Sequence, residues 1–365
     1  MLWVDQYRPK KLNKLILHKD IGENLSKLVA SGDCPHTLFY GPPGAGKKTL
    51  ILAFLREVYG AGADKVKVET RPWKIQLPTR VLEVELTLVS SNHHVEMNPS
   101  DVGNNDRYVV QEILKDMAKS RPINMKGQKG FKMLVLNETD RLSAQAQHSL
   151  RRTMEKYSAS CRLVLCCNNV SKVIEPVRSR CLCIRVAAPT NPEVEDMLSH
   201  VAQKEGLQLP DRLRQRIAQT SERNLRRALL CFETCHMTQY PFKDDQAVQT
   251  TDWELYVQEI ANDILAEQTP KRLFAVRGKM YELLVNCIPP ELILKKLMLE
   301  LVRKLDDELK HKVADCAAFF EHRLQASCHC IASHATEGQK AIFHLEAFVA
   351  RFMSDYKTWT IQAFG

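Results

Sequence analysis

The run Gly41-Pro42-Pro43-Gly44-Ala45-Gly46-Lys47 carries the clearest chemistry in the sequence. It follows an apolar tetrad, Thr37 to Tyr40, and opens a stretch that places Leu50, Ile51, Phe54, Leu55 and Val58 at helical spacing. Strand, glycine loop and helix form the setting in which successive backbone N–H groups wrap phosphates. Glycines permit the tight turn, the helix N-terminus adds a favourable dipole, and Lys47 reaches the outer phosphates. A nucleotide site is therefore expected, with Gly41, Pro42, Pro43, Gly44, Ala45, Gly46, Lys47, Lys48 and Thr49 around the phosphates. A plain glycine turn with a chance lysine would not need the flanking strand and helix.

The next position departs from the pattern. A P-loop places there a Ser or Thr whose hydroxyl holds Mg²⁺, and here it is Lys48. Thr49 comes one residue late, and on a helix that shift rotates a side chain by about a quarter turn or more. A second departure matches the first. The apolar run Lys132 to Leu136 ends in Asn137-Glu138-Thr139-Asp140, with a neutral Asn137 where a metal-supporting carboxylate is expected. Glu138, a candidate base for activating water, remains. Loss of both metal groups is expected to slow phosphoryl transfer far more than it weakens nucleotide binding. Asn168 ends the next strand-like run, where an amide can orient a phosphate or a water. Arg180 stands in a later loop, too far along for this chain's own nucleotide and suited to projection at a neighbour's.

The elements that must hold these residues read as α/β. From Leu12 to about Val186, helices alternate with short apolar strands at Thr37 to Tyr40, Lys132 to Leu136, Arg162 to Cys167 and Leu182 to Val186, which predicts a parallel sheet covered on both faces. Extended runs between Lys65 and Val95 suggest an inserted hairpin. Beyond Pro189-Thr190-Asn191-Pro192 the strands disappear, and a small helical segment runs to about Phe242, with Gly206 ending one helix and Pro210 opening the next. Long amphipathic helices follow, opened by a Thr251-x-x-Glu254 capping box, Pro270, Pro289-Pro290 and Asp306-Asp307. Such a tail exists to pack, internally or on partners.

The 365 residues leave room for two or three domains, and 44% hydrophobic with 26% charged residues is the balance of a folded, non-fibrous chain. A formal charge of +9 is compatible with a polyanionic partner without requiring one. No signal peptide and no membrane segment are expected. The 12 cysteines are scattered, several in apolar runs where a reduced thiol acts as a small hydrophobe, which argues for a reducing compartment. Cys328, His329, Cys330 and His334 have ligand-like spacing but no second cysteine pair, so a loop between helices is preferred to a zinc site.

Taken together, Trp3-Val4-Asp5-Gln6-Tyr7-Arg8-Pro9, Gly41 to Thr49, Asn98-Pro99-Ser100-Asp101, Gln147 to Tyr157 and Ser179-Arg180-Cys181 resemble the small subunits of eukaryotic replication factor C over nearly the whole chain, most nearly the subunit-3 branch. Lys48 and Asn137 look like that branch's own departures. The resemblance implies an AAA+ nucleotide-binding domain over 1–187, a helical lid over 188–245 and a helical collar over 246–365 that joins five subunits in a ring. It implies ATP or ADP as ligand, with Mg²⁺ only weakly supported. It puts Val4, Tyr7, Arg8 and Pro9 around the adenine, Asn168 at sensor 1, Arg226 at sensor 2 and Arg180 as an arginine finger. The implied partners are the other replication factor C subunits, the sliding clamp PCNA and primer–template DNA, and the implied location is the nucleus.

Basic residues Lys115, Lys119, Arg121, Arg151 and Arg152 are candidates for tracking a DNA backbone, against the plainer reading of solvated charge. The helix from Asp106, with Val110, Gln111, Leu114 and Met117, resembles a clamp-facing surface or is simply core. Two other functions stay open at this point. One is a scaffold whose P-loop is vestigial; the other is an autonomous P-loop kinase, for which no acceptor pocket is visible.

Overall fold

The computed structural model describes residues 1–32, 34–76, 81–99, 106–119, 130–158, 160–330 and 337–364. Two compact units, Met1–Gln249 and Thr250–Gly365, divide the chain.

The first unit is built on a sheet. After a short helix α1 (Trp3–Gln6) and α2 (Lys19–Ala30) come strand β1 (Thr37–Tyr40) and helix α3 (Lys47–Tyr59), then β2 (Lys67–Gln76), β3 (Val81–Ser90), β4 (His94–Met97) and α4 (Asp106–Lys119). β5 (Lys132–Leu136), α5 (Ala144–Tyr157), β6 (Cys161–Cys167), α6 (Glu175–Arg178) and β7 (Leu182–Arg185) complete it. The described strands form one seven-stranded sheet in the order β2-β3-β4-β5-β6-β1-β7. From β4 to β7 every pairing is parallel, while β2 and β3 form the expected hairpin and β3 joins β4 antiparallel. Successive side chains of the central strands go to opposite faces. Leu38, Leu134, Leu136, Leu163 and Leu165 pack with Val110, Leu114 and Leu150 on one face. Phe39, Met133, Val135 and Val164 pack with Leu25, Leu50, Phe54 and Leu55 on the other. Both faces are thus covered, which is why these strands read as unbroken apolar runs.

Val110 and Leu114 of α4 are fully buried in the first of these cores, so these two positions of the stripe serve the core, while Gln111 is half-buried and the Met117 side chain lies outside the described residues. The Asp106 carboxylate fixes α4 to the start of α5, accepting from the Ser143 backbone N–H at 2.7 Å and the Ser143 hydroxyl at 2.9 Å. The cysteines are free among the described residues. Burial pushes the thiols of Cys161, Cys167 and Cys181 up to about 12 and that of Cys166 to about 11, so they stay protonated and pack as small apolar groups.

Helices α7 (Asn191–Glu205), α8 (Asp211–Thr220) and α9 (Leu225–Thr238) close the first unit around a core that includes Val194, Leu198, Leu213, Ile217 and Phe232. Trp3 belongs to this core: its ring lies 5.0 Å from that of Phe232, and its backbone N–H donates to Glu233 Oε2 at 3.2 Å. Burying such a ring is worth about 2–3 kcal/mol, enough to tie the N-terminal segment to the lid helices. A capping box that the sequence reading did not single out opens α7, at Thr190 and Glu193. The Thr190 N–H and hydroxyl both meet Glu193 Oε2, at 2.7 and 2.9 Å.

The second unit is helical among its described residues: α10 (Asp252–Ala266), α11 (Pro270–Val285), α12 (Pro290–Lys304), α13 (Asp307–Cys330) and α14 (Glu337–Phe364). Ile264, Met280, Leu297, Leu301, Phe320 and Phe348 are among its buried core. The box expected at Thr251 is not formed. Thr251 stands at the N-cap without a side-chain cap, and Glu254 is buried with its carboxylate 3.1 Å from Lys296 Nζ, drawn into packing between α10 and α12. His334 lies outside the described residues, as do the side chains of Cys328, His329 and Cys330. No described helix is long and apolar enough to cross a membrane.

Candidate nucleotide-binding site

A cavity of about 420 Å³ opens at the C-terminal ends of β1, β5 and β6, the edge at which parallel α/β sheets hold ligands. Val4, Tyr7, Arg8 and Pro9 line it, with Pro43, Gly44, Ala45, Gly46, Lys47, Lys48 and Thr49 from the loop and first turn of α3. Asn137, Glu138 and Asn168 come from the ends of β5 and β6, and Arg226 from the first turn of α9. Gly41 and Pro42 do not line the cavity; they act through their carbonyls.

The loop is shaped by contacts that leave no room for side chains. A Cβ on Gly41 would stand 2.0 Å from the Val186 carbonyl oxygen, and one on Gly44, where φ is +75°, would stand 1.8 Å from Asn224 Oδ1. That same Asn224 oxygen caps α9 by accepting from the Arg227 N–H at 3.1 Å, so one side chain couples the loop to the helix that carries Arg226. The Lys47 ammonium folds onto its own loop. Nζ donates to Gly41 O at 2.6 Å, Pro42 O at 2.8 Å and Asn168 Oδ1 at 2.8 Å. Burial pushes its pKa below the ordinary lysine value, which leaves the charge under-solvated and disposed toward an anion. Asn168 is itself positioned by Asp140, whose Oδ2 accepts from the N–H groups of Asn168 and Asn169, both at 3.2 Å.

The two positions that depart from a metal-binding P-loop prove to be connected. Lys48 Nζ lies 2.6 Å from Glu96 Oε1, and Asn137 Nδ2 donates to that same oxygen at 2.8 Å. Glu96 is buried at 8% exposure in β4, next to β5, so its carboxylate needs these donors. The Lys48 ammonium is therefore matched by a counter-charge from the neighbouring strand. Glu138, the candidate base, is held at φ 51° and pairs with Arg141 at 3.1 Å in an exposed contact. A Mg²⁺ ion fits this donor set poorly. The hydroxyl position bears an ammonium, the acid position bears an amide, and the facing Glu96 oxygen already accepts two hydrogen bonds.

Arg180 does not line the cavity. It follows α6, with Nε and Nη2 donating to Glu155 Oε1 at 2.8 and 2.5 Å and Nη1 to Pro176 O at 2.8 Å. Arg151 and Arg152 are exposed on α5, and they pair with no described residue. Lys115 is exposed on α4 but pairs with Glu112 at 2.7 Å. Arg121 and the Lys119 side chain lie outside what is described.

Sequence reading missed several wall residues. His18, whose ring nitrogen meets Ala45 O at 3.1 Å, lines the cavity with Asn98, Leu15, Ile16, Leu17, Met197, Val201 and Leu229. The apolar ones carry no signal, because a wall for a flat base has the composition of core. Glu96 carried none either: His94-Val95-Glu96-Met97 mixes charge with apolar groups, and only the pairing of β4 with β5 shows that its carboxylate needs partners.

Three family models match the chain: "DNA polymerase III, delta subunit" over residues 17–190, "RCF1/5-like, AAA+ ATPase lid domain" over 196–237, and "Replication factor C subunit 3, C-terminal domain" over 253–360. The chain is 60% identical over 365 residues to replication factor C subunit 5 of Oryza sativa subsp. japonica, covering 100% of both chains. It is 59% identical to replication factor C subunit 3 of Arabidopsis thaliana, again covering 100% of both. Replication factor C subunit 3 of Homo sapiens is 52% identical over 356 residues, 98% of this chain and 96% of the human one. The sheet with its P-loop, the helical lid and the helical C-terminal unit agree with these matches, and the chain belongs to the replication factor C subunit family of AAA+ proteins.

Proposed function

We propose that this chain works as a nucleotide-holding subunit of a five-membered clamp-loading ring in the nucleus, supports little or no hydrolysis in its own pocket, and supplies Arg180 to the pocket of a neighbour. The observation that carries the reading is the Lys48–Glu96–Asn137 cluster beside an intact phosphate loop. Lys47, Asn168 and Arg226 surround the place where phosphates would lie, so binding is supported. Metal-assisted cleavage is not, because it depends on charge neutralisation by a correctly held ion. In this reading the adenine lies among Val4, Tyr7, Arg8 and Pro9, and ADP or ATP serves as a structural ligand between the sheet and the lid. The second unit forms the collar. Arg151 and Arg152, exposed and unpaired with described residues, suit a DNA backbone by charge.

Reconstitution tests this. The chain is mixed with the other replication factor C subunits, the sliding clamp and primer–template DNA, and bound nucleotide, ATP turnover and clamp loading are followed. The expected result is a ring that loads the clamp and retains unhydrolysed or undissociated nucleotide at this subunit. A ring that loads equally well when this pocket never contains nucleotide favours a scaffold with a vestigial P-loop.

A further inference from the structure

We infer that the cation of this nucleotide site is built into the chain: the Lys48 ammonium, held by Glu96, stands where a divalent metal would, and the pocket binds nucleoside phosphates without Mg²⁺. The inference rests on reading the cavity as a nucleotide site and adds what kind of ligand it takes, the metal-free nucleotide.

The geometry is specific. Lys48 occupies the first turn of α3, at the position from which a hydroxyl would hold the metal. Asn137 ends β5, at the position of the metal-supporting acid. Both converge on one oxygen of Glu96, at 2.6 and 2.8 Å. The two substitutions therefore form one arrangement, in which each makes sense only with the other. An aspartate at position 137 would set a second carboxylate against Glu96, and a threonine at position 48 would leave that buried carboxylate without its counter-charge.

Exposure divides the roles within the pair. The Glu96 side chain is 10% exposed, whereas that of Lys48 is 48% exposed and borders the cavity. An ammonium has three N–H donors. One is taken by Glu96, and the others remain for phosphate oxygens. For a divalent ion to enter, it would have to displace Lys48 from Glu96 and reside next to the ammonium it displaced. A fixed ammonium that arrives with its counter-charge already in place needs no ion from solution.

The test is a binding titration on the full-length chain, with ADP and a non-hydrolysable ATP analogue, in Mg²⁺ and in EDTA. Wild-type affinity is expected to agree within about twofold between the two media, since one charge-assisted contact is retained and no metal contact is lost. Lys48→Ala is expected to weaken binding about tenfold or more in both media. The double variant Lys48→Thr/Asn137→Asp is expected to become metal-dependent, binding about tenfold more weakly in EDTA than in Mg²⁺. Melting curves without nucleotide establish that each variant is folded, and the wild-type comparison decides the matter if one is not. Wild-type binding that collapses in EDTA, or a folded Lys48→Ala that binds undiminished, overturns the inference while leaving a nucleotide site in place. Wild-type protein that binds in neither medium overturns the reading of the cavity itself.

Discussion

Replacing Arg180 with alanine in the assembled ring is expected to slow ATP cleavage at the neighbouring site by about a thousandfold, the usual worth of an arginine that neutralises transition-state charge in trans. The side chain's surroundings make this a clean experiment. Arg180 is absent from the wall of this chain's own cavity, so nucleotide held here is expected to be unaffected. Its contacts with Glu155 and Pro176 O lie at the protein surface, where such pairs contribute less than about 1 kcal/mol. The folded subunit and the ring should therefore survive the change. Single-turnover hydrolysis with primer–template DNA reads the effect; rates equal to those of the unaltered ring would remove Arg180 from any catalytic role.

Replacing Lys47 with alanine is the second large effect. Its ammonium makes three hydrogen bonds, two to the loop carbonyls Gly41 O and Pro42 O and one to Asn168 Oδ1 after β6, all at 2.8 Å or less. Bound phosphates would compete for the same donors. Hydrogen bonds to a charged group are worth about 1.5–3 kcal/mol each, so losing even one to nucleotide weakens binding about 10- to 100-fold. The loop would also lose the group that gathers its carbonyls. Equilibrium binding of a fluorescent ADP to the variant checks this, and an unchanged affinity would favour the vestigial P-loop.

Much of this was legible in the sequence because local and global signals agreed. Gly41 to Lys47 between an apolar tetrad and an amphipathic run permits one architecture, and the structure has it. The apolar runs at β1, β5 and β6 were recognisable because both faces of the sheet are covered there, whereas β7, at the sheet edge, is largely exposed. β4 was not singled out. Its four residues His94, Val95, Glu96 and Met97 mix charge with apolar groups, and only pairing in the sheet reveals that Glu96 is buried between Lys48 and Asn137. The spacing of Thr251 and Glu254 matched a capping box as well as that of Thr190 and Glu193. Only tertiary packing decides between them, since Lys296 claims the Glu254 carboxylate. Val110 and Leu114 show the same limit: an apolar stripe names a face without naming what covers it.

On the proposed function, Lys47 and its loop grip phosphate while an internal ion pair, Lys48 with Glu96, stands where the metal groups for cleavage would be. The most direct measurement loads the purified chain with radiolabelled ATP and Mg²⁺, then quenches samples over time to count bound ATP and ADP. Close to one nucleotide per chain, with negligible ADP formed over many minutes, is the expected result. Rapid conversion to ADP by this chain alone would contradict it.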